Sequence, residues 1–205
     1  MKKFFLLLAL FMAGAAPAFA QTTAQTQIAR TETYLESLTT IKARFIQTDN
    51  QGQQLAGTFY LSRPGKMRFE YDGPVHDSIV ADGINVYYYD AAMKQTSSAL
   101  ISRTLAHFFL RPDIQLNGEI MVNDIIRGGG LLQVTITRSK DPQAGSMTLG
   151  LKEGAKKSLS LKKWRVTDEQ GAITEIELFD PEFGIGLGRE LFRYRDPQKS
   201  TPRFN

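Results

Sequence analysis

The chain has 205 residues, no cysteine, two histidines and a net charge of +4. The missing cysteine excludes disulfides, a cysteine nucleophile and an N-terminal thioether lipid, and so few histidines leave little for a catalytic zinc site. The small basic excess does not mark a nucleic-acid partner.

Lys2 and Lys3 precede an apolar run over 4–12, and small residues follow up to Ala18-Phe19-Ala20. The pattern predicts a secretory signal peptide over 1–20, cut between Ala20 and Gln21. The run is too short, and broken too soon by Gly14 and Pro17, to span a membrane. Residues 21–205 are then a single exported domain, with the net charge lowered to +2 by loss of two leader lysines. That length suffices for a core of its own.

Residues 22–38 carry no Gly or Pro and place Ile28, Tyr34, Leu35 and Leu38 near one stripe, which predicts a helix. Nearly everything after it alternates apolar with polar residues between turn signals, which predicts strands. They fall at 41–48, 78–81, 86–89, 131–138, 147–151, 164–166 and 174–178, with a last one holding Phe192 and Tyr194. Asp82-Gly83 marks a hairpin and Gly128-Gly129-Gly130 a turn.

Two further strands flank Pro64-Gly65. In the first, Phe59, Leu61 and Arg63 share a face, and in the second Met67, Phe69 and Tyr71 do, because side chains alternate with a period of two. If the apolar faces look inward, so does Arg63. Its guanidinium then either finds several acceptors or reaches solvent past its own stem.

The exception to the strands is a central helix capped by Ser102, carrying Leu105, Phe108 and Phe109 at helical spacing and closed by Pro112. The economical arrangement is one long antiparallel meander with one wet face, its concave side covered by the two helices. Phe59, Leu61, Met67, Phe69 and Tyr71, facing Leu105, Phe108 and Phe109, are either an ordinary core or the walls of an acyl-chain site, since both are built of such residues. His76 and His107 have no partner at ligand spacing, and no G-x-S-x-G elbow is present, so neither a metal site nor catalysis is expected. Gly184-Ile185-Gly186-Leu187-Gly188 lacks the last glycine of a dinucleotide fingerprint and reads as a mobile loop. The basic segment 152–165 is either a solvated strand face or a docking surface for an acidic partner or anionic membrane.

The order of motifs adds to this reading. Ala43-Arg44-Phe45-Ile46-Gln47-Thr48 is followed by the strand ending Arg63-Pro64, then Met67-Arg68-Phe69-Glu70-Tyr71, Ile79-Val80-Ala81-Asp82-Gly83 and Tyr87-Tyr88-Tyr89-Asp90. Downstream stand Trp164-Arg165-Val166-Thr167-Asp168 and Leu191-Phe192-Arg193-Tyr194. The chain thereby resembles the periplasmic outer-membrane lipoprotein carrier family, LolA, over nearly all of its mature length. The resemblance implies a mainly β fold: an incomplete antiparallel β-barrel with a helical lid over an apolar cavity. It implies a periplasmic, non-enzymatic, cofactor-free monomer that receives acylated lipoproteins from an inner-membrane ABC transporter and delivers them to an outer-membrane acceptor or the membrane itself. Arg63 would latch the lid, formed around 105–110, through backbone carbonyls, and Met67, Phe69 and Tyr71 would line the cavity. A periplasmic lipid- or glycolipid-binding or sensing protein of the same fold is the alternative.

Overall fold

The structure, a computed structural model, describes residues 17–198, with side chains from Thr23 onward. Most of the predicted leader, and the side chains of the predicted cleavage pair Ala20 and Gln21, lie outside the described residues. Helix α1 (Pro17–Ser37) begins earlier than expected. Its buried stripe is Gln27, Thr31 and Leu35, with Leu38 just past its end, rather than one including Ile28 and Tyr34, which are half-buried. Thr31 tolerates complete burial because its hydroxyl donates to the Gln27 carbonyl one turn back, at 2.8 Å.

Six strands follow: β1 (Thr40–Asp49), β2 (Gln54–Ser62), β3 (Lys66–Tyr71), β4 (Ser78–Asp82), β5 (Asn85–Asp90) and β6 (Gln95–Leu100). Five more come after the central segment: β7 (Ile120–Gly128), β8 (Leu131–Arg138), β9 (Ser146–Glu153), β10 (Leu159–Thr167) and β11 (Ile173–Phe183). All eleven form one antiparallel sheet in the order β6-β5-β4-β3-β2-β1-β11-β10-β9-β8-β7. Two meanders are thus joined along a single non-local seam, where Ile41 pairs with Phe183 and Asp49 with Thr174. The sheet does not close, since β6 and β7 are its free edges. Register slips at Lys42/Arg44, Leu161/Lys163 and Val122/Asp124 supply the extra twist that bends so long a sheet round its inner face.

Two strands escape the alternation rule. β6 is exposed along its whole length and has no apolar face to reveal it, and in β7 the irregularity at Val122/Asp124 breaks the period. The expected strand through Phe192 and Tyr194 is instead a 3-10 turn (Arg189–Phe192) and extended chain. Tyr194 stacks on Tyr87 at 4.5 Å on the outer side of the first meander. The central helix is also shorter than expected. Ser102 lies inside a 3-10 turn (Ile101–Arg103), and α2 (His107–Leu110) starts with no side-chain cap.

Gly57 permits the tightest packing on the inner face. A Cβ there would fall 2.2 Å from the Glu70 carbonyl oxygen and 2.6 Å from the Phe45 ring. Phe45 therefore lies across β2 and meets Phe69 and Tyr71 edge-on at 5.1 and 5.2 Å. The segment 184–188 is tied down at its start: Gly184 N–H donates to the Thr40 carbonyl, and the Thr40 hydroxyl to the Ile185 carbonyl. In the basic segment, Lys162, Lys163 and Arg165 pair across strands with Glu177 and Glu175 on β11, the arrangement of a solvated strand face.

Candidate functional site

Arg63 follows β2 and turns its guanidinium under the sheet end. Nη1 donates to the Leu35 carbonyl and, at 3.3 Å, to that of Leu38. Nη2 donates to the carbonyls of Arg111 at 2.9 Å and Pro112 at 3.5 Å. These oxygens lie at the C-terminal ends of α1 and α2, where helix geometry leaves carbonyls without partners and a cation is favoured. Burial pulls the guanidinium below its ordinary value, while the nearby Glu36 charge acts the other way. Gly65 N–H adds a bond to the Leu110 carbonyl at 2.9 Å, so the turn after β2 grips the whole end of α2.

A second cation holds the other end of the central segment. Arg138, at the end of β8, donates through Nη2 to the carbonyls of Ser102 and Thr104, both at 3.1 Å. Its guanidinium carbon also lies 5.9 Å from the centre of the Phe108 ring. Residues 101–112 are therefore pinned by one arginine from each meander. Arg138 carries no sequence signal of this task, because its acceptors are backbone atoms distant along the chain.

Beneath this segment lies a cavity of about 420 Å³, within the range of small-ligand sites. Met67, Phe69 and Tyr71 of β3 form one wall, and Met147, Trp164 and Ile176 of β9 to β11 the opposite one. Phe109 and Ala106 close the roof, with the Phe109 ring stacked on Trp164 at 6.0 Å. One end is polar: Tyr71 Oη donates to Gln47 Oε1 at 2.7 Å, and Tyr88 Oη to Asp77 Oδ2 at 2.6 Å.

The eight residues expected to form acyl-chain walls divide into two sets. Met67, Phe69, Tyr71 and Phe109 face the cavity and keep 5–8% exposure. Phe59, Leu61 and Phe108 are at 0–1% and do not face it, and neither does Leu105. The physical reason is what lies over each: the Trp164 ring packs 5.3 Å from Phe59 and the Arg138 guanidinium covers Phe108. Leu105 is directed toward Gly145, its Cδ1 3.2 Å from where a Cβ there would sit. Met147, Trp164 and Ile176 were not expected on the wall. They alternate correctly in sequence, but only the β1–β11 seam brings their strands opposite β3.

An open antiparallel sheet bent round an apolar cavity, with a short helical cover pinned by arginines to backbone carbonyls, defines a lidded half-barrel. Residues 36–195 match the family model "Outer membrane lipoprotein carrier protein LolA", and the chain belongs to that family. An outer-membrane lipoprotein carrier protein from Methylococcus capsulatus is 29% identical over 191 residues, covering 87% of this chain and 88% of the relative. One from Legionella pneumophila is 25% identical over 206 residues, covering 97% and 96%. A solved structure of a LolA superfamily protein from Nitrosomonas europaea is 9% identical, covers 83% of this chain and 97% of its own, and has a TM-score of 0.44. The Methylococcus and Legionella relatives are named as carriers. Among the described residues no helix is long and apolar enough to cross a membrane.

Proposed function

We propose that the chain is a periplasmic carrier that holds an acyl chain of a lipoprotein in the cavity and releases it by direct handover to the outer membrane or an acceptor there. The observation that carries the reading is the apolar cavity closed by a segment whose end carbonyls are hydrogen-bonded by Arg63. A methylene occupies about the volume of a water molecule, ~30 Å³, so the cavity as it stands takes on the order of a dozen of them. That is on the order of one acyl chain.

The magnitudes favour handover. Burying a dozen methylenes at about 0.8 kcal/mol each gives on the order of 10 kcal/mol, too much for ready escape into water. Hydrogen bonds from a cation contribute about 1.5–3 kcal/mol each at good geometry. The Arg63 bonds therefore offset part of the acyl-binding energy when the lid recloses, which keeps transfer reversible. The supplying inner-membrane ABC transporter and the outer-membrane acceptor belong to this proposal.

Arg63→Leu is expected to retain acylated cargo but pass it on slowly. The measurement is transfer of an acylated lipoprotein from purified carrier to acceptor membranes, and a wild-type rate would remove Arg63 from the latch role. Mass spectrometry of protein drawn from the periplasm should find acylated polypeptide bound to it, whereas extractable lipid alone would favour a lipid- or glycolipid-binding protein.

A further inference from the structure

The cavity has one polar end, and it lies away from the Arg63 latch, which is not part of the cavity wall. Arg63 lies where β2 ends and β3 begins, beyond the Ser62–Lys66 pair. Gln47, Tyr71, Asp77 and Tyr88 gather at the opposite end, where Gln47 pairs with Leu55, Tyr71 with Gly57 and Tyr88 with Ile79. At about 3.3 Å per residue along β2, this polar end lies about 20 Å from Arg63.

Asp77 is the one formally charged side chain on the cavity wall among the described residues. Oδ1 accepts the Ala91 N–H at 2.9 Å and Oδ2 the Tyr88 hydroxyl, so each oxygen keeps capacity for another donor. Tyr88 is 39% exposed, which puts this group at an opening rather than in the interior. Burial, and after it the Asp77 charge, raises the Tyr71 hydroxyl; at Tyr88 burial comes first, then the hydrogen bond to Asp77. The field at this end is negative, and no wall cation opposes it among the described residues.

We propose that this end is a headgroup subsite, at which Asp77 selects an acylated ligand whose polar end is uncharged or positive and donates hydrogen bonds, such as a free amino terminus, and rejects an anionic phosphate head. The inference rests on the reading of the cavity as an acyl-chain site. It assigns the cavity a direction: tail under Phe109 and Trp164, head between Asp77 and Gln47. In a membrane rich in anionic lipid, such a mouth keeps the cavity free for cargo.

The test uses the mature full-length chain and three single-chain amphiphiles at submicellar concentration: decylammonium, whose head donates hydrogen bonds as an amino terminus does, decyl phosphate and decyl maltoside. Binding is followed by titration calorimetry and by the fluorescence of Trp164, the single tryptophan. Wild type should prefer the cationic head to the phosphate by about tenfold at low salt. Asp77→Asn, which keeps an acceptor for Tyr88, should bring the two within about twofold. Gln47→Glu, which keeps an acceptor for Tyr71, should widen the preference, and it tests the idea even if the Asp77 variant folds poorly. Equal binding of both charged heads by wild type, or an unchanged ratio in both variants, overturns the headgroup subsite while maltoside binding leaves the acyl-chain reading intact. If none of the three binds, the acyl-chain reading falls and this inference with it.

Discussion

Phe59 and Phe109 both point to the inside of the sheet, yet they answer to different demands. Phe59 is wholly buried between Phe69, at 4.7 Å, and Trp164, at 5.3 Å, so its removal leaves a void that neighbours cannot close. Phe109 has one ring face on Trp164 and also borders the cavity. Phe59→Ala should therefore cost about 3–5 kcal/mol in urea unfolding. Phe109→Ala should cost clearly less but weaken amphiphile binding, measured by displacement of a fluorescent fatty acid. Equal stability losses would mean that Phe109 is core. The sequence placed both on apolar faces correctly; which became core depends on Trp164, a residue far along the chain that alternation alone cannot bring over Phe59.

At the scale of elements, α1 and the lid bury Leu35, Phe108 and Leu110 in the core and are also tied to the sheet by hydrogen bonds directed at backbone atoms. Tyr34 lies half-buried against β10, and its oxygen accepts the Leu161 N–H at 2.6 Å, beside the register slip at Leu161/Lys163. Burial pushes the phenol up to about 12, so it stays protonated through neutral pH. Tyr34→Phe strips the acceptor from a strand N–H and should cost about 1–3 kcal/mol, read by thermal unfolding. An unchanged midpoint would mean that water satisfies Leu161.

His107 gives the lid a pH dependence. Burial lowers its value first; Glu119, with its carboxylate 3.8 Å away, pulls the other way, and the Arg111 and Arg138 cations reinforce the lowering. A histidine whose folded value lies below the ordinary ~6.5 contributes stability that is complete above 6.5 and is lost as pH falls through the folded value. Amide exchange over 101–112 should therefore accelerate between pH 7.5 and 5.5 relative to the β1–β3 core, and His107→Gln should flatten the difference. An identical pH response in that variant would acquit His107. The family resemblance located the lid, but not its second pin: Arg138 acts on carbonyls, which have no sequence signature.

For the whole molecule, the β1–β11 seam decides whether two meanders behave as one body. Ile41 sits in it fully buried, between Leu61 of β2 and Phe183 of β11. Ile41→Ala should cost about 2–5 kcal/mol and lower the midpoints of far-ultraviolet circular dichroism and Trp164 fluorescence together. Separate midpoints in wild type would show that the meanders unfold independently. The open edges β6 and β7 are managed by polarity and twist: β6 offers mostly small polar residues, and β7 is kinked at Val122/Asp124.

The sequence by itself determined what is local. The period of two set the inward faces of β2 and β3 and with them the side on which Arg63 lies, glycine and proline marked most of the turns, and the ordered motifs identified the family. Tertiary structure decided what depends on distant partners. Pairing β1 with β11 put Met147, Trp164 and Ile176 across from β3, folded the chain so that Arg63 and Arg138 meet the two ends of one segment, and gathered Gln47, Tyr71, Asp77 and Tyr88 at one mouth. A cavity is the space left when two halves cannot fill the curve between them, and no single strand carries that information.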